Sequence, residues 1–193
     1  AFENFLRLLS KIGIQIIDSK NPVIQEFEKL IKYSDQIGTD ICFYEARWPY
    51  SSYIELYGKE NVIGDTAFSR IAHGMEMSRE EYNHALLRRE ELRNKATEAG
   101  VLADGFITLS SSGPAPIDYD GEHNNFRPDK ANAHLGTGSR SFVTPWTLVG
   151  GPALSMPWLS VDQMPLGIQL MGLSDTDEAL VSIARWIEEN VPD

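Results

Sequence analysis

The chain has 193 residues, with 28 acids against 17 bases, a formal net charge of −11, 42% hydrophobic and 23% charged residues. That balance describes a globular chain long enough for one substantial core, and it argues against disorder. The negative field would repel nucleic acid and anionic membrane surfaces, and no apolar run approaches the roughly 18 residues of a spanning helix. Cys42 is the sole cysteine, so an internal disulfide is excluded and a reducing, cytoplasmic setting is expected.

Phe2, Phe5, Leu6 and Leu9 recur at helical spacing, and Gly13 supplies a stop. No N-cap residue precedes that pattern, which carries the expectation of a processed or truncated start with something lost upstream. Ile14-Gln-Ile-Ile17 is a short strand candidate. Asn21-Pro22 then offers a cap and a first-turn proline for a helix whose face is Val23, Ile24, Phe27, Leu30 and Ile31. Between residues 39 and 75, Pro49 and several glycines predict two or three short helices. The aromatics there, from Phe43 to Tyr57, are expected to form a packing layer rather than a ligand site.

Ser78-Arg-Glu-Glu81 has the form of a capping box and predicts a helix to about residue 98, with Tyr82, Ala85, Leu86 and Leu92 inward and Glu91 pairing Lys95. Gly105-Phe-Ile-Thr-Leu109 reads as a buried strand. From Ser110 to Ser141 periodicity dissolves into Ser, Gly, Pro, Asp and Asn, the signature of a functional or disordered loop. Gly150-Gly-Pro-Ala-Leu-Ser-Met-Pro157 and Gly167-Ile-Gln-Leu-Met-Gly172 describe two strands joined by the turn Asp162-Gln-Met-Pro165. Asp177 and Glu178 open a last helix, with Leu180, Ile183, Ala184 and Ile187 as its buried stripe. Helices alternating with single buried strands predict an α/β layered fold around a central, mixed sheet.

The residues offer little self-sufficient chemistry. His73, His84, His123 and His134 share no metal-ligand spacing. Cys42 is expected to be a buried structural thiol. Gly136-Thr-Gly-Ser139 lacks the lysine of a phosphate-binding loop and reads as a pocket-lining turn. Gly-x-Ser-x-Gly is missing, and the serines at 110–112, 139 and 141 suit turn and capping roles, so no catalytic residue is assigned within the chain.

The order of these segments resembles the C-terminal half of the amidase signature family, serine amide hydrolases. Ser78-Arg-Glu-Glu-Tyr-Asn-His-Ala85 with Arg88-Arg89 is similar to the family's helix before a late central strand. Ala103-Asp-Gly-Phe-Ile-Thr-Leu109 with Pro114-Ala-Pro116 is similar to that strand and its Pro-rich turn. Gly138 and Phe142 through Pro157 resemble the segment usually written Pro-Phe-Asn-Leu-x-Gly-x-Pro-Ala. Pro165 to Gly172 with Asp177-Glu178 resembles the closing strand and helix. The family's catalytic Lys and its Gly/Ser-rich signature, with the nucleophilic Ser and cis-Ser bridge, are absent from these residues. Thr147 stands where Asn is usual, and Trp158-Leu159 replaces a small residue after Pro157.

The resemblance implies an α/β/α fold of which residues 1–193 form the C-terminal portion of a single domain. The catalytic half would come from an upstream segment or chain. It implies hydrolysis of a small-molecule amide through a serine acyl-enzyme, with no metal or organic cofactor; the net charge, as above, argues against nucleic acid and membrane as partners. A homo-oligomer is compatible with it. This chain would supply core sheet and a pocket wall, with Gly138, Arg140, Phe142 and Thr147 as substrate-binding residues. In glutaminase subunits of the family the position of Arg140 resembles an Asp that holds an ammonium, so Arg140 would favour a carboxylate. The rival readings are an amidase-derived module kept for assembly, and a small enzyme using Cys42 or a serine.

Overall fold

A computed structural model of the chain describes residues 1–62, 64–114 and 140–191. The elements run α1 (Phe2–Lys11), α2 (Pro22–Ile31), α3 (Ser34–Tyr57), α4 (Lys59–Val62), α5 (Asp65–Glu76), α6 (Arg79–Gly100), β1 (Phe106–Leu109), α7 (Thr144–Val149), β2 (Ala153–Val161), β3 (Met164–Met171) and α8 (Asp177–Asn190). The sheet order is β1-β3-β2, and both pairings are antiparallel. A two-residue connection forces that sense on β2 and β3, because a parallel pair needs a long crossover. The expected mixed sheet is thus represented among the described residues by antiparallel ladders alone.

Asp162 (φ 51°) and Gln163 (φ 65°) form the hairpin turn between β2 and β3, each in the left-handed region that a twist-matched two-residue turn demands. β3 is the middle strand and is covered on both faces. Leu166, Ile168 and Leu170 point into a core built with Phe5 and Leu9 of α1 and Leu180, Ala184 and Ile187 of α8. Met171 enters the opposite core, with Phe27 of α2, Ile37 and Ile41 of α3, Leu92 and Ala96 of α6, and Trp146 of α7. The result is helix, sheet, helix. Double coverage explains why Pro165 to Met171 shows no polar-apolar alternation in sequence.

Local rules account for the best-defined helix starts. Asn21 Oδ1 accepts from the Val23 amide at 2.9 Å, with Pro22 in the first turn of α2. At α6 the capping box is complete: Ser78 Oγ accepts from the Glu81 amide at 3.2 Å, and Glu81 Oε2 accepts from the Ser78 amide at 2.7 Å. Lys95 pairs with Glu98 at 2.6 Å rather than with Glu91, a shift toward the C-terminal end of the same solvent face.

Several expectations are corrected. Ile14–Ile17 forms no strand, because no described segment pairs with it. Residues 39–75 do hold three helices with Gly58 and Gly64 at their boundaries, but the first is not short: Ser34–Tyr57 is one 24-residue helix running through both Gly38 and Pro49. Pro49 lacks the amide that would reach the Glu45 carbonyl. The surrounding turns are held by side chains: Arg47 donates to the Tyr44 carbonyl, Ser51 to Arg47, and Ser52 to Trp48. Buried Ile37 and Ile41 anchor the N-terminal half of that helix.

The aromatics on α3 are mostly not a packing layer. Trp48 is 77% exposed and Tyr53 and Tyr57 face solvent, whereas Tyr44 stacks on Tyr82 of α6 with centroids 4.1 Å apart. Cys42 is exposed, not buried, since Ile37 and Ile41 take the inward stripe of the helix. Among the described residues no helix is long and apolar enough to cross a membrane, and no cluster of metal-ligating side chains occurs.

Candidate functional site

Residues 140–151 are tied to the helices α3 and α6 and to the sheet. A 3-10 turn at Arg140–Phe142 leads into α7, which is short, begins with Pro145 in its first turn and ends at Gly150 in the left-handed conformation (φ 81°). Bonds from four side chains fasten it. Thr144 Oγ1 donates to Asp35 Oδ1 of α3 at 2.8 Å, and Arg93 Nε of α6 donates to the Leu148 carbonyl at 3.0 Å. Trp146 Nε1 donates to the Gly172 carbonyl at 3.0 Å and to the Pro152 carbonyl at 3.2 Å. Gln169 of β3, only 6% exposed, donates from Nε2 to the Phe142 carbonyl at 3.3 Å. Each bond satisfies a backbone or side-chain group that the short helix cannot satisfy internally.

Beside this segment lies a cavity of about 1360 Å³. Its walls come from both helical layers and the sheet, including Phe27 of α2, Phe106 and Ile107 of β1, Phe142 and Trp146, and Trp186 of α8. Ser34, at the start of α3, lines it while being 1% exposed, and its hydroxyl has no hydrogen-bond partner among the described residues.

The four substrate-binding candidates are placed differently. Phe142 is half-buried and lines the cavity. Arg140 is exposed at the head of the 3-10 turn, where its carbonyl accepts from the Val143 amide at 3.0 Å. Thr147 is exposed on the outer side of α7, with its hydroxyl donating to the Val143 carbonyl at 3.0 Å. Gly138 lies outside the described residues, as do Gly136-Thr-Gly-Ser139, His123 and His134. The structure therefore brings Arg140, Phe142 and Thr147 onto one short segment, with Phe142 alone of the three on the cavity wall.

Ser34, Asp35, Trp146 and Gln169 are not marked out by sequence reasoning. Trp146 and Gln169 do lie within the motifs singled out above, and a buried glutamine in an apolar strand is itself a signal for a backbone partner. Nothing local marks Ser34. Ser111 takes the turn role expected of the serine cluster, donating to the Gly113 carbonyl at 2.5 Å.

Gly167 sits opposite the irregularity in β2, where Pro157 and Trp158 interrupt the register between Met156 and Leu159. A Cβ at Gly167 would meet the hydroxyls of Ser110 and Ser155, so a larger residue there would force those two side chains to turn away.

No family model matches the chain. It is 31% identical over 112 residues to a mitochondrial glutamyl-tRNA(Gln) amidotransferase subunit of Anopheles gambiae, covering 57% of this chain and 21% of that protein. Its fold matches 6-aminohexanoate cyclic dimer hydrolase with a TM-score of 0.67 at 19% identity, over 97% of this chain and 40% of the hydrolase. It also matches a bacterial aryl acylamidase of the amidase signature enzymes with a TM-score of 0.60 at 14% identity, over 94% of this chain and 42% of the acylamidase. The chain thus spans about a fifth of the curated relative and about two fifths of the solved ones. The chain has the α/β fold seen in these amidase-signature structures and aligns with about two fifths of each.

Proposed function

We propose that this chain is part of a hydrolase that cleaves the C–N bond of a small-molecule amide, supplying core sheet and one wall of the substrate pocket. The observation that carries the proposal is the fold match over 97% of this chain to an amide hydrolase of which it spans only 40%. In this reading the nucleophilic serine, its lysine partner and the cis-Ser bridge belong to a segment outside residues 1–193. The serine attacks the amide carbonyl, the Ser–Lys pair passes the proton to the departing amine, and water then releases the acyl group. Backbone amides hold the oxyanion.

The residues of this chain act on the substrate rather than on the bond. Phe142, held by Gln169, provides an apolar surface, and Arg140 two residues earlier offers a planar cation able to grip a substrate carboxylate with two parallel bonds. Thr147, exposed on the outer side of α7, and Gly138, outside the described residues, remain substrate-contact candidates by resemblance alone. The single cysteine supports a reducing, cytoplasmic setting.

The experiment compares amide hydrolysis by the native protein that carries this chain with that of residues 1–193 alone. Turnover by the native protein and none by the isolated chain is the expected result. Turnover by the isolated chain would show that its own serines or Cys42 suffice, and no turnover by the native protein on any small amide would remove the hydrolase reading.

A further inference from the structure

Gln169 stands in the middle strand of the sheet, between Ile168 and Leu170, and is 6% exposed. A primary amide in that place gives up its water on burial, a cost that a methionine or leucine would not carry. Such a group is retained where its hydrogen bonds do something an apolar side chain cannot. Along β3 it shares a face with Met171, which enters the core that holds Trp146 of α7.

The amide nitrogen has two hydrogens, and both have a partner. One goes to the Phe142 carbonyl at 3.3 Å and the other points at the Met171 sulfur. A carbonyl can only accept, so the nitrogen end of the amide must face the turn. Phe142 closes the 3-10 turn Arg140–Phe142, whose first carbonyl accepts from the Val143 amide at 3.0 Å. The Gln169 bond therefore fastens to the sheet the three residues that carry the cation and the apolar surface of the wall.

α7 has anchors of its own. Thr144 bonds Asp35, Trp146 bonds the Gly172 carbonyl, and Arg93 bonds the Leu148 carbonyl. Removing the Gln169 amide should loosen the turn ahead of α7 and leave the helix docked. A two-bond grip on a carboxylate depends on where the guanidinium is held, and a displacement of roughly 1 Å spoils such geometry. Apolar contact with Phe142 has no such directional demand.

We propose that Gln169 is a positioning residue of the substrate wall: its side-chain amide fixes the Arg140–Phe142 turn and so sets the preference for amides that bear a carboxylate. This rests on the amide-hydrolase reading above and on the role given there to Arg140.

The test is Gln169→Met in the native protein, since methionine keeps the length of the side chain and has no donor. Steady-state hydrolysis of matched carboxylate-bearing and neutral amides should show the preference for the former falling roughly fivefold, the scale of one lost hydrogen bond, with more of the loss in KM than in kcat. Amide hydrogen exchange, read without substrate, should show the Val143 amide exchanging roughly tenfold faster. The Gly150 amide, bonded to the Trp146 carbonyl at 2.9 Å at the end of α7, should keep the parent's rate. If Gln169→Met does not fold, Gln169→Asn, which keeps the amide but draws it back by one methylene, is read in the same way.

Unchanged preference with unchanged Val143 exchange would overturn the proposal. So would faster exchange at both Val143 and Gly150 with equal losses on the two amides, the mark of a merely structural role, or a parent with no preference between them. Faster Val143 exchange in a protein that hydrolyses neither amide would remove the function proposed above, and the preference with it, while the hold of Gln169 on the turn would stand.

Discussion

Trp146 donates its indole N–H to the carbonyl of Gly172, 26 residues later, at 3.0 Å, and so ties the helix α7 to the end of the central strand β3. The indole is 3% exposed and stacks obliquely on Phe106 of β1, with ring centroids 4.6 Å apart. One residue thereby fixes the pocket-wall segment against two strands.

Replacing it tests that role. Trp146→Phe keeps most of the apolar surface but leaves the Gly172 and Pro152 carbonyls without this donor, and the cost is expected at about 1–3 kcal/mol. Urea unfolding monitored by far-UV dichroism measures it. A variant as stable as the parent would show that those carbonyls find other partners and that the segment is held elsewhere.

The hairpin turn offers a change in the opposite direction. Gln163 has φ 65°, a conformation that costs a side-chain-bearing residue of order 1 kcal/mol. Gln163→Gly, creating an Asp-Gly turn, should raise stability by about 1 kcal/mol, less the greater freedom of glycine in the unfolded chain. A drop in melting temperature would mean that the Gln163 side chain contributes more than its backbone strain removes.

The capping box at α6 sets a pH dependence. The backbone amide of Ser78, and then its hydroxyl, hold the Glu81 carboxyl below its usual range. A group whose folded pKa is depressed contributes stability above its unfolded pKa, and that contribution disappears as pH falls through the folded value. Thermal melts of the parent and Glu81→Gln should therefore differ at pH 7 and converge on acidification below the ordinary carboxylate range. A difference that persists unchanged at low pH would contradict the assignment. Ser78→Ala, which removes the hydroxyl that accepts from the Glu81 amide and donates to its carboxylate, should cost about 1 kcal/mol at neutral pH.

Arg140 carries the prediction about substrate choice. In the native protein Arg140→Ala should lower kcat/KM for amides bearing a carboxylate by roughly tenfold or more while leaving neutral amides little changed, the loss expected for one charge-assisted pair. Equal loss on acidic and neutral amides would remove the carboxylate-gripping role.

The elements legible in the sequence are those specified by their own neighbours. The β2–β3 hairpin, the capping box at Ser78 and the stripe Leu180, Ala184 and Ile187 each rest on local spacing, and each forms as expected. The failures lie where distant residues decide. Ile14–Ile17 has the composition of a strand, but a strand exists only when another pairs with it. Pro49 ordinarily ends a helix, yet α3 continues past it while packing against α5 and α6. Cys42 looks buried by residue type, whereas its position beside Ile41 on the helix turns it outward. In the pocket wall, Phe142 and its neighbours can be located from sequence, but the Gln169 bond that holds them crosses from another element.

On the function proposed above, the nucleophile lies outside residues 1–193. Labelling the native protein with a fluorophosphonate, which bonds covalently to an activated serine, and mapping the adduct by peptide mass spectrometry tests it most directly. The expected result is a single modified serine outside residues 1–193, with loss of amide hydrolysis in proportion to labelling. An adduct on a serine of this chain, such as Ser110 or Ser141, accompanied by that same loss, would contradict it.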